Sequence, residues 1–84
     1  MVKAYILMNI KQDVAAEVIE EMRKLDGVEA IDAIFGEYDL IAVVNVPDIN
    51  KISRLITELR SKTEGIERTS TIIVRGDYTE AMSW

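Results

Sequence analysis

Two short runs, apolar at nearly every position, constrain this chain more than anything else in it: Ala4 to Ile10 (AYILMNI) and Leu40 to Val46 (LIAVVNV). Runs this short cannot span a membrane as helices, and they suit strands covered on both faces. Each is followed by an amphipathic stretch. Val14, Val18, Met22 and Leu25 recur every third or fourth position with Glu17, Glu20, Glu21, Arg23 and Lys24 between them, which predicts a helix starting near Asp13 and stopping at Gly27. Ile49, Ile52, Ile56 and Leu59 predict a second helix after Pro47, capped by Asp48 and closed near Gly65.

Two further segments, Val28 to Phe35 (VEAIDAIF) and Ile66 to Arg75 (IERTSTIIVR), are β-prone but carry charges, as edge strands do. The turn Gly36-Glu37-Tyr38-Asp39 joins the first of them to LIAVVNV as a hairpin. The order is β-α-β-β-α-β, and a faint repeat supports it. Asp26-Gly27-Val28-Glu29 recurs as Glu64-Gly65-Ile66-Glu67, and Gly36-Glu37-Tyr38 recurs as Gly76-Asp77-Tyr78. Two βαβ halves with right-handed crossovers give an α+β, ferredoxin-like fold: an antiparallel four-stranded sheet with two helices on one face, strands one and three central and two and four at the edges. Residues 1–84 form one domain, with 76–84 as a C-terminal tail.

In that fold the face away from the helices meets water in a monomer and should be polar. It is not. Leu40, Ala42 and Val44 point one way and Ile41 and Val43 the other; Ala4, Ile6 and Met8 oppose Tyr5 and Leu7. An apolar face of several hundred Å² exceeds what soluble monomers expose. Burying ~500 Å² of it per chain at roughly 25 cal/mol per Å² is worth about 12 kcal/mol before association costs. A chain of 84 residues without cysteine has no disulfide or thiolate-metal alternative. The expectation is an obligate homo-oligomer built on a dimer stacked through its open sheet faces.

Charge and composition narrow the chemistry. Ten basic against fifteen acidic residues leave a net charge of -5, which repels nucleic-acid phosphates and argues against direct DNA binding. Histidine and cysteine are both missing, and with them the commonest general base, thiol nucleophile and transition-metal ligands. No enzymatic activity, cofactor or metal is expected. Without a signal peptide or an apolar run of membrane-spanning length, a soluble cytoplasmic protein is expected.

The turn is the most informative stretch. Gly36 permits close approach of a ligand to the backbone, Tyr38 offers a ring and a hydroxyl, and Asp39 accepts hydrogen bonds from an ammonium group. The same residues also make an ordinary hairpin. Thr69 and Thr71 share a face of the last strand, where their hydroxyls suit a small polar ligand or simply a strand. Asp32, inside an edge strand, either discourages fibril-like pairing or contacts another subunit. The residues alone leave these pairs of readings open.

GVEAIDAIFGEYDLIAVVNVPD, followed by EGIERTSTIIV, resembles the C-terminal effector domain of the leucine-responsive regulatory protein/AsnC (Lrp/AsnC) family of transcription regulators, often called the RAM domain. The likeness runs from strand one to about Val74. It rests on the turn at Gly36, Tyr38 and Asp39, on Gly65 before the last strand, and on Thr69-Ser70-Thr71 followed by Ile72-Ile73-Val74. The resemblance implies that Gly36, Tyr38, Asp39, Thr69 and Thr71 line a pocket for an amino-acid effector between subunits. It also implies that dimers assemble further, into an octamer or decamer ring. With no helix-turn-helix ahead of strand one, the chain resembles the stand-alone members, which co-assemble with full-length regulators. The alternatives are a structural partner of such a regulator that binds no ligand, an ACT-like amino-acid sensor, or an enzyme of the same topology; the lack of histidine speaks against the enzyme.

Overall fold

The computed structural model describes residues 1–76. Strands β1 (Val2–Ile10), β2 (Val28–Ala33), β3 (Leu40–Val46) and β4 (Ile66–Ile73) form one antiparallel sheet in the order β2-β3-β1-β4. Helices α1 (Ala15–Arg23) and α2 (Ile49–Lys62) complete the β-α-β-β-α-β chain. The ferredoxin-like expectation holds, with the two apolar runs in the centre. Residues 77–84, which contain most of the expected tail and of the second repeat copy, lie outside the described residues.

The core lies between sheet and helices. Ala4, Ile6, Met8 and Ile10 of β1 and Leu40, Ala42, Val44 and Val46 of β3 are all buried there, against Val18 and Met22 of α1, Leu25 just after it, and Ile52, Leu55 and Leu59 of α2. α2 begins as expected, with the Asp48 carboxylate accepting from the Lys51 amide at 3.2 Å. α1 differs: a 3-10 turn at Gln12–Val14 precedes it, and Asp13 sits inside that turn instead of capping the helix. Ile49 is also not a core residue. It is 54% exposed, because α2 starts directly beyond the end of β3 and its first residue overhangs the sheet.

The repeat has a structural meaning. Gly27 and Gly65 both adopt φ +98°, a conformation that side chains with a Cβ rarely tolerate. Both carbonyls are then used alike: Gly27 accepts from the Asn45 amide and Gly65 from the Lys11 amide, each at 2.8 Å. Each glycine thus pins the entry to an edge strand onto the residue at or just past the end of a central one. A Cβ on Gly65 would stand 2.7 Å from Val14 Cγ2, and one on Gly27 would stand 2.8 Å from Val46 Cγ1.

Strand register sorts the remaining residues. β1 pairs with β3 as Tyr5↔Val43 and Leu7↔Ile41, and with β4 as Tyr5↔Ile72 and Leu7↔Ser70. Directly paired residues share a face, so Tyr5, Leu7, Ile41, Val43 and Ile72 form an apolar centre on the side away from the helices. β2 adds Ala30 and Asp32 to that side through Ala30↔Val43 and Asp32↔Ile41. Both faces of the central strands are apolar, as the sequence predicts, and Ile72 is 54% exposed. No helix among the described residues is long and apolar enough to cross a membrane.

Two substitutions test this description in opposite directions. Gly65→Ala forces a Cβ into a positive-φ position against Val14 and lowers stability by about 1–3 kcal/mol. Thr63, 3% exposed, buries a hydroxyl oxygen without a partner; Thr63→Val removes it and raises stability by about 1 kcal/mol. Thermal melts should show shifts of opposite sign, roughly 4–8 °C per kcal/mol for a chain of this size.

Candidate functional site

The turn between β2 and β3 is held from several directions. Ile34 donates its amide to the Asp39 carbonyl at 2.9 Å, closing the hairpin two residues earlier than the expected strand end at Phe35. Gly36 reverses the chain at φ +144° with open space around it, so its backbone conformation and not crowding selects glycine. The Asp39 amide donates to the Met8 carbonyl at 2.9 Å.

Beyond Met8 the β1–β3 ladder has ended, and the Ile10 amide would face a strand that has turned away. The Asp39 carboxylate replaces the missing carbonyl: Oδ2 accepts from the Ile10 amide at 3.0 Å and from Asn9 Nδ2 at 3.4 Å. Asn9 also donates through Nδ2 to the Glu37 carbonyl at 2.8 Å and accepts through Oδ1 from Arg68 Nε at 3.0 Å. The Arg68 guanidinium lies over the Tyr38 ring, 5.2 Å from its centroid, a favourable cation–π arrangement. One network therefore ties the turn to β1 and β4.

Asn9↔Arg68 is a direct cross-strand pair, which puts the network on the open face, above the apolar centre. Thr69 and Thr71 pair instead with Met8 and Ile6, whose side chains point towards the helices. Within one chain the structure brings Gly36, Tyr38 and Asp39 together and leaves Thr69 and Thr71 on the opposite face of an edge strand. Asp39 does not stand free to take a ligand ammonium group, since its Oδ2 already serves the strand end.

Asn9 and Arg68 were not singled out in the sequence. A signal existed for Asn9, the one amide in an otherwise apolar run. Arg68 had none, because its position beside Tyr38 depends on the register of β4 against β1. On the other side of the turn, Asp39 also borders a shallow hollow of about 230 Å³ lined by Ile10, Ala33, Phe35 and Leu40. That is smaller than the roughly 300–1,000 Å³ of drug-sized sites and suits only a small metabolite. Chemically, the network presents an oriented guanidinium to a carboxylate, with an aromatic ring and backbone amides beside it. Among the described residues no group of three or more acidic side chains is placed to hold a metal ion.

Comparison with known proteins converges on one family. The family model described as the Lrp/AsnC ligand binding domain matches residues 3–83. An uncharacterised HTH-type transcriptional regulator of Pyrococcus abyssi is 31% identical over 71 residues, covering 84% of this chain and 45% of the relative. The chain thus spans about half the length of the curated relatives it matches. The crystal structure of FFRP-DM1 superposes with TM-score 0.79 at 35% identity, covering 89% of this chain and all of that one. The structure of the transcriptional regulator NMB0573 from Neisseria meningitidis, solved as an L-Met complex, superposes with TM-score 0.81 at 20% identity over 99% of this chain and 55% of that one; that likeness concerns the fold.

Because the Asp39 carboxylate completes the end of β1, Asp39→Ala is expected to cost about 1–3 kcal/mol by leaving the buried Ile10 amide without an acceptor. Hydrogen exchange checks this locally. The Ile10 amide should lose protection in the variant, while amides at the far end of β1 keep theirs.

Proposed function

The chain belongs to the Lrp/AsnC ligand-binding domain family, and from that premise we propose that it is a non-catalytic module that binds a small amino acid or close metabolite between subunits of a homo-oligomer. The observation that carries this reading is the Asn9, Tyr38, Asp39 and Arg68 network beside an uncovered apolar sheet face. Two copies stacked through Tyr5, Leu7, Ile41 and Val43 bury that face. The stacking also surrounds the network with the second subunit, which lowers the local dielectric and strengthens a guanidinium–carboxylate contact.

Arg68 is the proposed carboxylate ligand, with the Gly36 backbone beside it. Its guanidinium is stacked on Tyr38 and fixed through Nε, so little rotamer freedom is lost on binding. Thr69 and Thr71 of the same chain lie on the other face; in this reading they act in the pocket only where another subunit presents its β4. Curated relatives are named as transcriptional regulators, and the proposed role is to report effector level through assembly, alone or with a DNA-binding relative. The L-methionine complex of the Neisseria fold relative makes methionine a natural first ligand to try.

Solution mass and thermal melts across the twenty amino acids test both halves. The mass should be a multiple of 9.5 kDa, at least twofold, and Leu7→Lys should reduce it to a single chain. A specific amino acid at 100 times its Kd should stabilise the protein by about 2.7 kcal/mol, and Arg68→Ala should remove that response without changing the mass. A stable single chain of 9.5 kDa in dilute wild-type samples overturns the assembly. A melting temperature that no amino acid moves overturns the effector.

A further inference from the structure

The two ends of the sheet are unlike, and they match each other. At one end, the β2–β3 turn carries Phe35 with its ring wholly in solvent, 107% exposed relative to an isolated residue. The turn beneath it is rigid: the Ile34–Asp39 bond closes it, and the Asn9–Glu37 bond fastens it to β1. An aromatic side chain held this way is preorganised to act as an anchor. At the other end, the start of β1, the end of β3, the start of α2 and the residues after β4 surround an open groove of about 430 Å³. Its walls are mostly apolar and include Val2, Ile49, Ile73 and Val74. Ile49 and Ile73 are the two side chains there that the core leaves 54% and 42% exposed.

The electrostatics of the two ends are complementary. Exposed Asp32 and Glu37 flank Phe35 with negative charge. Exposed Lys3 lines the groove, and Arg75 stands between Val74 and Gly76, which also line it. Asp48, the acid nearest the groove, has its carboxylate turned to the α2 amides. The length of β1 separates knob from groove, roughly 30 Å at ~3.4 Å per residue, so no chain can fill its own groove with its own Phe35.

We propose that Phe35 of one copy seats in the groove at the opposite end of the sheet of a second copy, with Glu37 and Asp32 meeting Lys3 and Arg75 of that copy. An aromatic ring seated there removes about 150–250 Å² from water. The contact is head-to-tail: it joins different patches on the two copies, so it propagates to a closed ring or to an open filament according to its rotation. It uses neither Tyr5, Leu7, Ile41 nor Val43, and so joins face-stacked dimers to one another. It rests on the proposed assembly for that role, but stands as a contact without it.

Light scattering on the wild type, Phe35→Ser and Leu7→Lys tests it. Phe35→Ser should reduce the mass to that of the dimer, twice 9.5 kDa, with an unchanged melting profile of the dimer, since a fully exposed ring contributes nothing to the fold of one chain. Leu7→Lys reports on the stacked face, so a failure there is distinguishable from a failure here. Lys3→Glu and Glu37→Lys should each weaken the larger assembly at least tenfold, and the double variant should restore it, which a merely structural role for either residue would not produce. An unchanged mass for Phe35→Ser, or a double variant as weak as the singles, overturns the proposal. So does a groove filled by the same chain, seen as a shift in Trp84 emission when Ile73→Lys is made in the Phe35→Ser background.

Discussion

The pairing of β1 with β3 is the constraint on which everything else in this protein depends. These strands bring apolar side chains to both sides of one layer, and two short helices cover only one side. Ala4, Ile6 and Met8, with Leu40, Ala42 and Val44, disappear under α1 and α2. Tyr5, Leu7, Ile41 and Val43 remain on a face with nothing over it in a single chain. The hydrophobic effect is indifferent to which molecule provides the cover, so the burial that folds the chain and the burial that assembles it are one driving force applied to two sides.

Function is placed where that ladder runs out. At the end of β1 a backbone amide needs an acceptor that β3 no longer supplies, and the carboxylate of Asp39 supplies it. The same stretch must turn at Gly36 and present Tyr38 to Arg68. Structural satisfaction and ligand recognition are therefore built from adjacent atoms. A carboxylate engaged in holding a strand end is poorly suited to hold a ligand as well, whereas a guanidinium bound through one nitrogen and stacked on a ring still presents a forked donor edge. That asymmetry shifts the recognition role from Asp39, where the family resemblance puts it, towards Arg68.

The internal repeat shows how two halves of a small chain solve the same problem. Gly27 and Gly65 share a backbone conformation and a hydrogen-bonding role, and each closes one crossover. The symmetry is kept in the turns that place the edge strands. It is lost in the helix starts, where α2 has an aspartate cap and α1 begins through an uncapped 3-10 turn.

Element type and order were legible in the residues because they follow from local periodicity. Apolar runs, three-and-four spacing and glycine stops are written along the chain, and so was the apolar character of both sheet faces, since alternation in a strand has a fixed period. Boundaries were less legible: Ile49 fits the helical period but overhangs the sheet, and Phe35 fits a strand pattern but lies in the turn. What only the tertiary structure decided is which side chains meet. Asn9 joins Asp39, Glu37 and Arg68 because β4 pairs with β1 in one particular register, and the same register sends Thr69 and Thr71 to the other face. A one-residue slip would reverse that assignment without altering a single local pattern, so contact across strands is information that the linear order of residues does not carry.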